Sequence, residues 1–368
     1  MGTHEMKSLL ITGIFRSGTT LLTRALATHD QVATAYQPFS PFFKAWRNLI
    51  FRDILQTPID FKAPMGKDYF VSGEDRERFV KCSLEAHFDA TDLEQIKKEV
   101  IANLDDDPHE RLQAIAGVLG DLKAGPAHAL IPQLFAIVQR CYPEKPVVMT
   151  GIKELWCEEF ILPLRYGFQT RGIQLIRDPR AVFASRNTGK HLQSCGGKKY
   201  PVLFVARAWR RSFQYGKGNQ DPSHFFWVRF EDLVREPERI MKELCHMLEV
   251  EFQPSMVEPA RFLDGGNNPW IANSTASARR EFNVTTVDQW EKFLNPEETG
   301  VIEFLCRAEM EALGYQPRYP DFGIEEFLRY RENESEITEW LKNSEFTLNN
   351  QQKELEITHA QRGKPAGF

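Results

Sequence analysis

The chain has 368 residues and 42% hydrophobic side chains, enough to bury a sizeable core in one large domain or two. A formal net charge of −5 argues against a general nucleic-acid binder, and no apolar run approaches the ~20 residues that a membrane-spanning helix needs. Six scattered cysteines, without a CxxC pair or a histidine spacing typical of zinc, read as reduced core thiols.

The first predicted element is a strand over about 7 to 12, followed by Gly13-Ile14-Phe15-Arg16-Ser17-Gly18-Thr19-Thr20 and a helix-like stretch from Leu21 to Thr28. Two glycines permit a tight turn in which successive N–H groups and the positive end of the next helix converge on one point, the way proteins hold a phosphate. The spacing nearly satisfies GxxxxGK[ST], but Thr19 stands at the lysine position. A nucleoside triphosphatase needs that lysine on its β- and γ-phosphates, with a hydroxyl and a carboxylate for magnesium. Here the positive charge sits inside the turn, at Arg16, which suits an anion other than a magnesium-bound triphosphate.

Phe39, Phe42, Phe43 and Trp46 follow at a spacing that suits one helix face, and read as core, with the lining of an acceptor pocket as the alternative. From Asp75 to about Tyr142 the apolar residues recur at helical intervals, a long insertion that either caps a substrate or covers the sheet. A second strand over about 147 to 152 ends at Lys153. The buried pattern of Gly172 to Ile176 then runs into Arg177-Asp178-Pro179, where Pro179 opens a helix that carries Ser185 two turns on. One reading of this stretch is a salt-bridged strand end, Asp178 with Arg180 or Arg186. A further strand over about 224 to 230 leads into an amphipathic helix from Pro237 to Leu248. After Tyr315 the composition turns charged. Ile324 to Asn343 has an amphipathic helix pattern, either an oligomerisation arm or a helix folded onto the domain, and Asn349 to Phe368 is polar.

These elements predict an α/β fold: a P-loop-NTPase-like parallel sheet flanked by helices, with a helical insertion after the first strand-helix unit. The expected organisation is one α/β domain over 1–320, including the insertion over 60–145 as a candidate substrate cap, and a helical tail over 321–368.

Arg16-Ser17-Gly18-Thr19-Thr20 resembles the loop with which sulfotransferases grip the 5′-phosphosulfate of 3′-phosphoadenosine 5′-phosphosulfate (PAPS). Arg177 and Ser185 have the separation of the pair that clamps the 3′-phosphate in that family. Arg229-Phe230-Glu231-Asp232-Leu233-Val234 is similar to its Arg-Tyr-Glu-Asp-Leu-Val segment, with Phe230 in place of the tyrosine, so any hydroxyl role is lost. Asn273-Ser274-Thr275, Gln289-Trp290, Leu294 and Leu313-Gly314-Tyr315 resemble the late loop and terminal helix of the bacterial, carbohydrate-type or tyrosylprotein-like members. The resemblance covers roughly residues 7 to 50 and 147 to 316.

What the resemblance implies is a PAPS-dependent sulfotransferase that acts on a hydroxyl or amine of a small-molecule acceptor, releases 3′-phosphoadenosine 5′-phosphate (PAP) and needs no metal. The implied cofactor-binding residues are Arg16, Ser17, Gly18, Thr19, Thr20, Arg177, Ser185, Ser274, Arg279 and Arg280. Arg16 and Lys153, which matches the family's strand-end lysine, are the catalytic cations. Many members carry a glutamate as general base where this chain has Gln37, and an amide cannot take a proton. Either the base comes from His191, the favoured candidate, or from Glu154, Glu158 or Asp68, or the acceptor is nucleophilic enough to need little help and Gln37 orients it. The resemblance also implies a cytoplasmic enzyme with no membrane or nucleic-acid partner, and the C-terminal helix suggests a homo-oligomer. Two rivals remain: a divergent P-loop nucleotide kinase or triphosphatase, with Asp178 as magnesium ligand, and a catalytically silent PAP-binding protein.

Overall fold

The computed structural model describes residues 7–56, 73–105, 110–194, 196–219, 221–263, 268–270, 282–338 and 351–362. Seven strands form among them: β1 Lys7–Gly13, β2 Val32–Tyr36, β3 His87–Phe88, β4 Gly125–Pro126, β5 Met149–Lys153, β6 Arg171–Ile176 and β7 Phe225–Arg229. Five of these make one parallel sheet in the order β2-β5-β1-β6-β7, while β3 and β4 pair antiparallel as a small ribbon. The central strand β1 is apolar on both sides because both faces are covered. Leu9 and Ile11 join a core with the helices Thr19–Ala27 and Pro237–Leu248, and Leu10 points into the opposite core.

Strand β2 was not among the predicted strands. Val32-Ala33-Thr34-Ala35-Tyr36 holds two alanines and only one large aliphatic residue, a weak strand signal that pairing with β5 overrides. Its register places Tyr36 beside Lys153, while Ile11 of β1 also stands opposite Lys153 and Gly13 opposite Leu175. The carboxyl ends of β2, β5, β1 and β6 thus open onto one edge, where open parallel sheets bind their ligands.

The helical pattern of the insertion is realised as Gly73–Cys82, Ala90–Asp105, Glu110–Val118 and Ala127–Arg140. Leu93, Ile96, Val100, Leu130, Leu134 and Val138 share one core with Leu10, Ala33 and Ile152 of the sheet. The helix Ser40–Leu49 buries Phe39, Phe42, Phe43 and Trp46 in that same core, with Trp46 stacked on Phe160 at 4.3 Å and Phe42 on Phe88 at 4.8 Å, so these aromatics are core.

The tail departs from the sequence pattern. The helix that begins at Ile324 ends at Arg329, because Tyr330 turns extended (φ −56°, ψ 136°) to bury its ring. Helix returns at Gln351–Arg362, inside the polar stretch. There Gln351 donates to the Tyr330 carbonyl, Glu354 pairs with Arg207, and Thr358 accepts from Arg210, so this helix lies on the Val202–Gly218 helix.

Candidate active site

The loop after β1 is built around two glycines that no other residue replaces without strain. Gly13 has φ +146°, and a Cβ there would stand 2.5 Å from the Leu175 carbonyl oxygen. Gly18 has φ +99°, and a Cβ there would stand 2.4 Å from the Phe230 ring. Ser17 Oγ donates to the Ile14 carbonyl at 2.6 Å and closes the turn, with Arg16 held at φ +63° between them. Gly18 caps the helix Thr19–Ala27 with no side-chain hydrogen bond, so the N–H groups of the first turn keep the donor capacity that an anion uses.

A second cluster reaches this loop from β6. Arg177 follows the strand directly, and Ser185 lies on the helix Pro179–Arg186. Arg16 Nε donates to Ser185 Oγ at 2.9 Å, and Arg177 donates through Nη1 to the Arg16 carbonyl at 3.2 Å and through Nη2 to the Thr286 carbonyl at 2.7 Å. The Arg177 guanidinium lies 4.3 Å from the centre of the Phe230 ring, and Trp209 Nε1 donates to the Arg177 carbonyl at 2.7 Å. Arg177 Nε is buried with no hydrogen-bond partner among the described residues.

Charge is concentrated here. Burial, then Arg177 and Arg186, bring the Arg16 guanidinium down to about 10, with Tyr36 opposing. Burial also lowers Arg177, against the pull of Glu231 and Asp178. Cations crowded into a dry pocket are the arrangement that a polyanion relieves. Asp178 does not serve the pocket: its carboxylate caps the Pro179 helix by accepting from Arg180 N at 2.9 Å and binds the Arg180 guanidinium, which also holds Glu303. The salt-bridged reading therefore holds for Asp178 with Arg180, while Arg177 and Ser185 turn to the loop.

A third group stands at the ends of β2 and β5. Gln37 N extends the ladder by donating to the Lys153 carbonyl at 2.8 Å, and φ +54° turns Gln37 so that its Oε1 accepts from Lys153 Nζ at 2.7 Å. Lys153 Nζ lies 4.1 Å from the centre of the Tyr36 ring, and Tyr36 Oη is 3.0 Å from Thr20 Oγ1. Burial lowers the Lys153 ammonium, with Tyr36 and Glu154 opposing. For Tyr36 burial acts upward, but Lys153, the Thr20 hydrogen bond, Arg24 and Arg16 outweigh it and carry the phenol below its ordinary range.

Of the sequence-derived residues, Arg16, Ser17, Gly18, Thr19, Thr20, Gln37, Lys153, Arg177 and Ser185 thus gather at one edge of the sheet. Glu154 is spent on structure, accepting from Phe39 N and Ser40 Oγ at 2.6 Å each, and burial pushes it up to about 7. Glu158 is likewise committed, to Arg211 and Ser212. His191 sits half-buried on the helix Gly189–Ser194, where its carbonyl accepts from Arg186 at 3.4 Å. Ser274, Arg279, Arg280 and Asp68 lie outside the described residues. Sequence reasoning missed Tyr36, Trp209 and Thr286. Tyr36 was hidden by the weak β2 pattern, and the other two act through contacts that no local motif encodes.

Residues 169–254, from β6 through the Pro237–Leu248 helix, match the sequence model of the sulfotransferase family. The resemblance read from the motifs is therefore met by an independent finding. More particularly, the chain is similar to carbohydrate sulfotransferase 4 of Mus musculus, 24% identical over 161 residues, or 39% of this chain and 41% of that protein. The chain thus spans about two-fifths of the length of the curated relative it matches. Among solved structures it is similar to the sulfotransferase domain from the curacin biosynthetic pathway, at 17% identity and TM-score 0.47 over 84% of this chain and 98% of that one. It is also similar to the sulfotransferase domain from the Synechococcus PCC 7002 olefin synthase, at 17% identity and TM-score 0.48 over 86% and 98%.

Proposed function

We propose that this chain transfers a sulfuryl group from PAPS to a hydroxyl or amine of a small-molecule acceptor and releases PAP. The observation that carries the reading is the hydrogen bond from Arg16 Nε to Ser185 Oγ, which joins the residues expected to hold the 5′- and 3′-phosphates. The donor set fits such a ligand: the buried Arg177 and half-buried Arg16 guanidinium groups, an Arg177 Nε with no partner among the described residues, and a helix N-terminus behind a loop where a Cβ at Gly18 would collide. When bound, PAPS supplies the activated sulfuryl group on a phosphate leaving group. Arg177 and Ser185 would hold the 3′-phosphate, and the loop N–H groups with Thr19 and Thr20 the 5′-phosphate. Ser274, Arg279 and Arg280 complete the cofactor set in this proposal. Arg16 and Lys153 would set positive charge against the oxygen on which negative charge grows, a contribution worth roughly 3 kcal/mol per donor at an oxyanion-type site. Gln37, held by Lys153, would orient the acceptor.

The kinase or triphosphatase reading is disfavoured by the absent loop lysine and by the engagement of Asp178 with Arg180. The proposal includes one α/β domain over 1–320, with the insertion over 60–145 as a substrate cap, and a helical tail over 321–368 that packs on the domain through Gln351–Arg362. It also includes a cytoplasmic location, supported by Cys82, Cys157 and Cys245 standing as free thiols. The test is calorimetric titration with PAP, and separately with ATP and GTP plus magnesium. Tight PAP binding in the absence of metal is expected. Magnesium-dependent ATP or GTP binding without PAP binding would refute the proposal.

A further inference from the structure

Gln37 cannot remove the acceptor's proton, Glu154 and Glu158 are tied into the core, and yet a hydroxyl that attacks sulfur must lose that proton. One titratable oxygen stands at the junction of the phosphate loop and Lys153. Tyr36 is half-buried at the carboxyl end of β2, one residue before Gln37, and its Oη bonds Thr20 Oγ1 of the loop helix at 3.0 Å. Three cations from three elements face it: Lys153 of β5 at 4.1 Å from the ring centre, Arg24 of the Thr19–Ala27 helix at 5.3 Å, and Arg16 of the loop. The charged groups named here are all cations, and with the Thr20 hydrogen bond they outweigh burial and favour the phenolate.

We infer that Tyr36 is a catalytic base of this site, taking the acceptor's proton in the place of the missing glutamate. The inference rests on the sulfotransferase reading above. In the step, a lone pair of the acceptor oxygen or nitrogen forms the bond to sulfur while the proton on that atom passes to Tyr36 Oη. The bond from sulfur to the bridging oxygen breaks, and its electron pair leaves with the phosphate of PAP. Nothing is oxidised or reduced, and the phenol returns its proton to solvent between turnovers. Lys153 would then have two tasks, to set positive charge against the leaving oxygen and to favour the phenolate of its neighbour Tyr36. Lowering the phenol moves it toward the working pH, and a base gains efficiency as its pKa approaches that pH.

The test uses the full chain, as wild type, Tyr36→Phe and Thr20→Val. Three properties are measured: PAP binding by calorimetry, tyrosinate absorbance from about pH 6 to 11, and consumption of PAPS with water as acceptor. In the wild type one of the nine tyrosines should ionise ahead of the others. Tyr36→Phe should erase that early phase, leave PAP affinity within about twofold, cut turnover on the order of 100-fold and abolish the rise of rate with pH. Thr20→Val keeps the phenol but removes its hydrogen bond, and should move the early phase to higher pH. If the wild type binds PAP and Tyr36→Phe keeps the wild-type rate and pH profile, or the early phase survives in it, the assignment of the base is wrong and the sulfotransferase reading stands. If the wild type does not bind PAP, that reading fails and the base falls with it.

Discussion

Replacing Arg177 with methionine keeps most of the side-chain volume and removes only the charge and its donors. The guanidinium is buried, holds two carbonyl oxygens and lies on the Phe230 ring, and its Nε has no hydrogen-bond partner among the described residues. If the 3′-phosphate of PAP docks here, the loss is at least one charge-assisted hydrogen bond, about 2–3 kcal/mol, or roughly 30- to 150-fold in Kd. Stability should fall as well, so affinity is measured on the folded variant. The lost carbonyl bonds and cation–π contact are each worth about 1 kcal/mol, and relief of the like-charge contact with Arg16 opposes that loss. The assay is calorimetry in metal-free buffer with PAP and with adenosine 5′-phosphate, which lacks the 3′-phosphate. Arg177→Met should weaken PAP by the stated factor and leave the 5′-monophosphate within threefold. Equal losses for both ligands, or none for PAP, would refute the 3′-phosphate assignment.

Lys153→Met should lower turnover by about 100-fold with little change in PAPS affinity, since a donor aimed at the leaving oxygen acts in the transition state; steady-state kinetics in which the affinity falls instead would make Lys153 a ground-state binder. Gly18→Ala forces a side chain at φ +99° into the Phe230 ring, and should cost about 2–4 kcal/mol in urea unfolding and abolish PAP binding, whereas an unchanged midpoint would mean that the loop yields freely. Glu154 is raised from 4.5 to about 7 by burial, so the folded chain holds a proton there that the unfolded chain has released. Its contribution is intact below about pH 4.5 and is lost as pH rises through 7. Unfolding free energies compared at pH 5 and pH 8 should therefore fall by about 2–3 kcal/mol more in the wild type than in Glu154→Gln, and identical slopes would contradict the burial argument.

Much of the site was legible because phosphate binding depends on local backbone. The order of glycine, arginine and hydroxyl residues between a strand and a helix is a property of eight consecutive positions, and the separation of Arg177 from Ser185 is a matter of two helical turns. The base was not legible, because a proton acceptor is defined by what surrounds it. Tyr36 looks like any strand-end tyrosine until β2 is paired with β5 and Lys153 is set beside it. The same holds for Phe230. In the sequence it is a lost hydroxyl, while in the fold its ring supports Arg177 and closes on Gly18. The tail shows the limit of periodicity: Ile324 to Asn343 carries a helical pattern, yet the helix stops at Arg329 because burying Tyr330 requires an extended turn.

By itself, the sequence determined most of the alternation of strands and helices, the glycine-rich loop with its arginine and the second cationic strand end, since each is encoded by neighbours within one or two turns of chain. Only the tertiary structure decided that Arg16 meets Ser185 across 169 residues, that Glu154 and Glu158 belong to the core, and that Tyr36 stands among three cations. The physical reason is that charge, burial and proton affinity are set by distances in space, and the parallel sheet fixes those distances by bringing the ends of its strands to one edge.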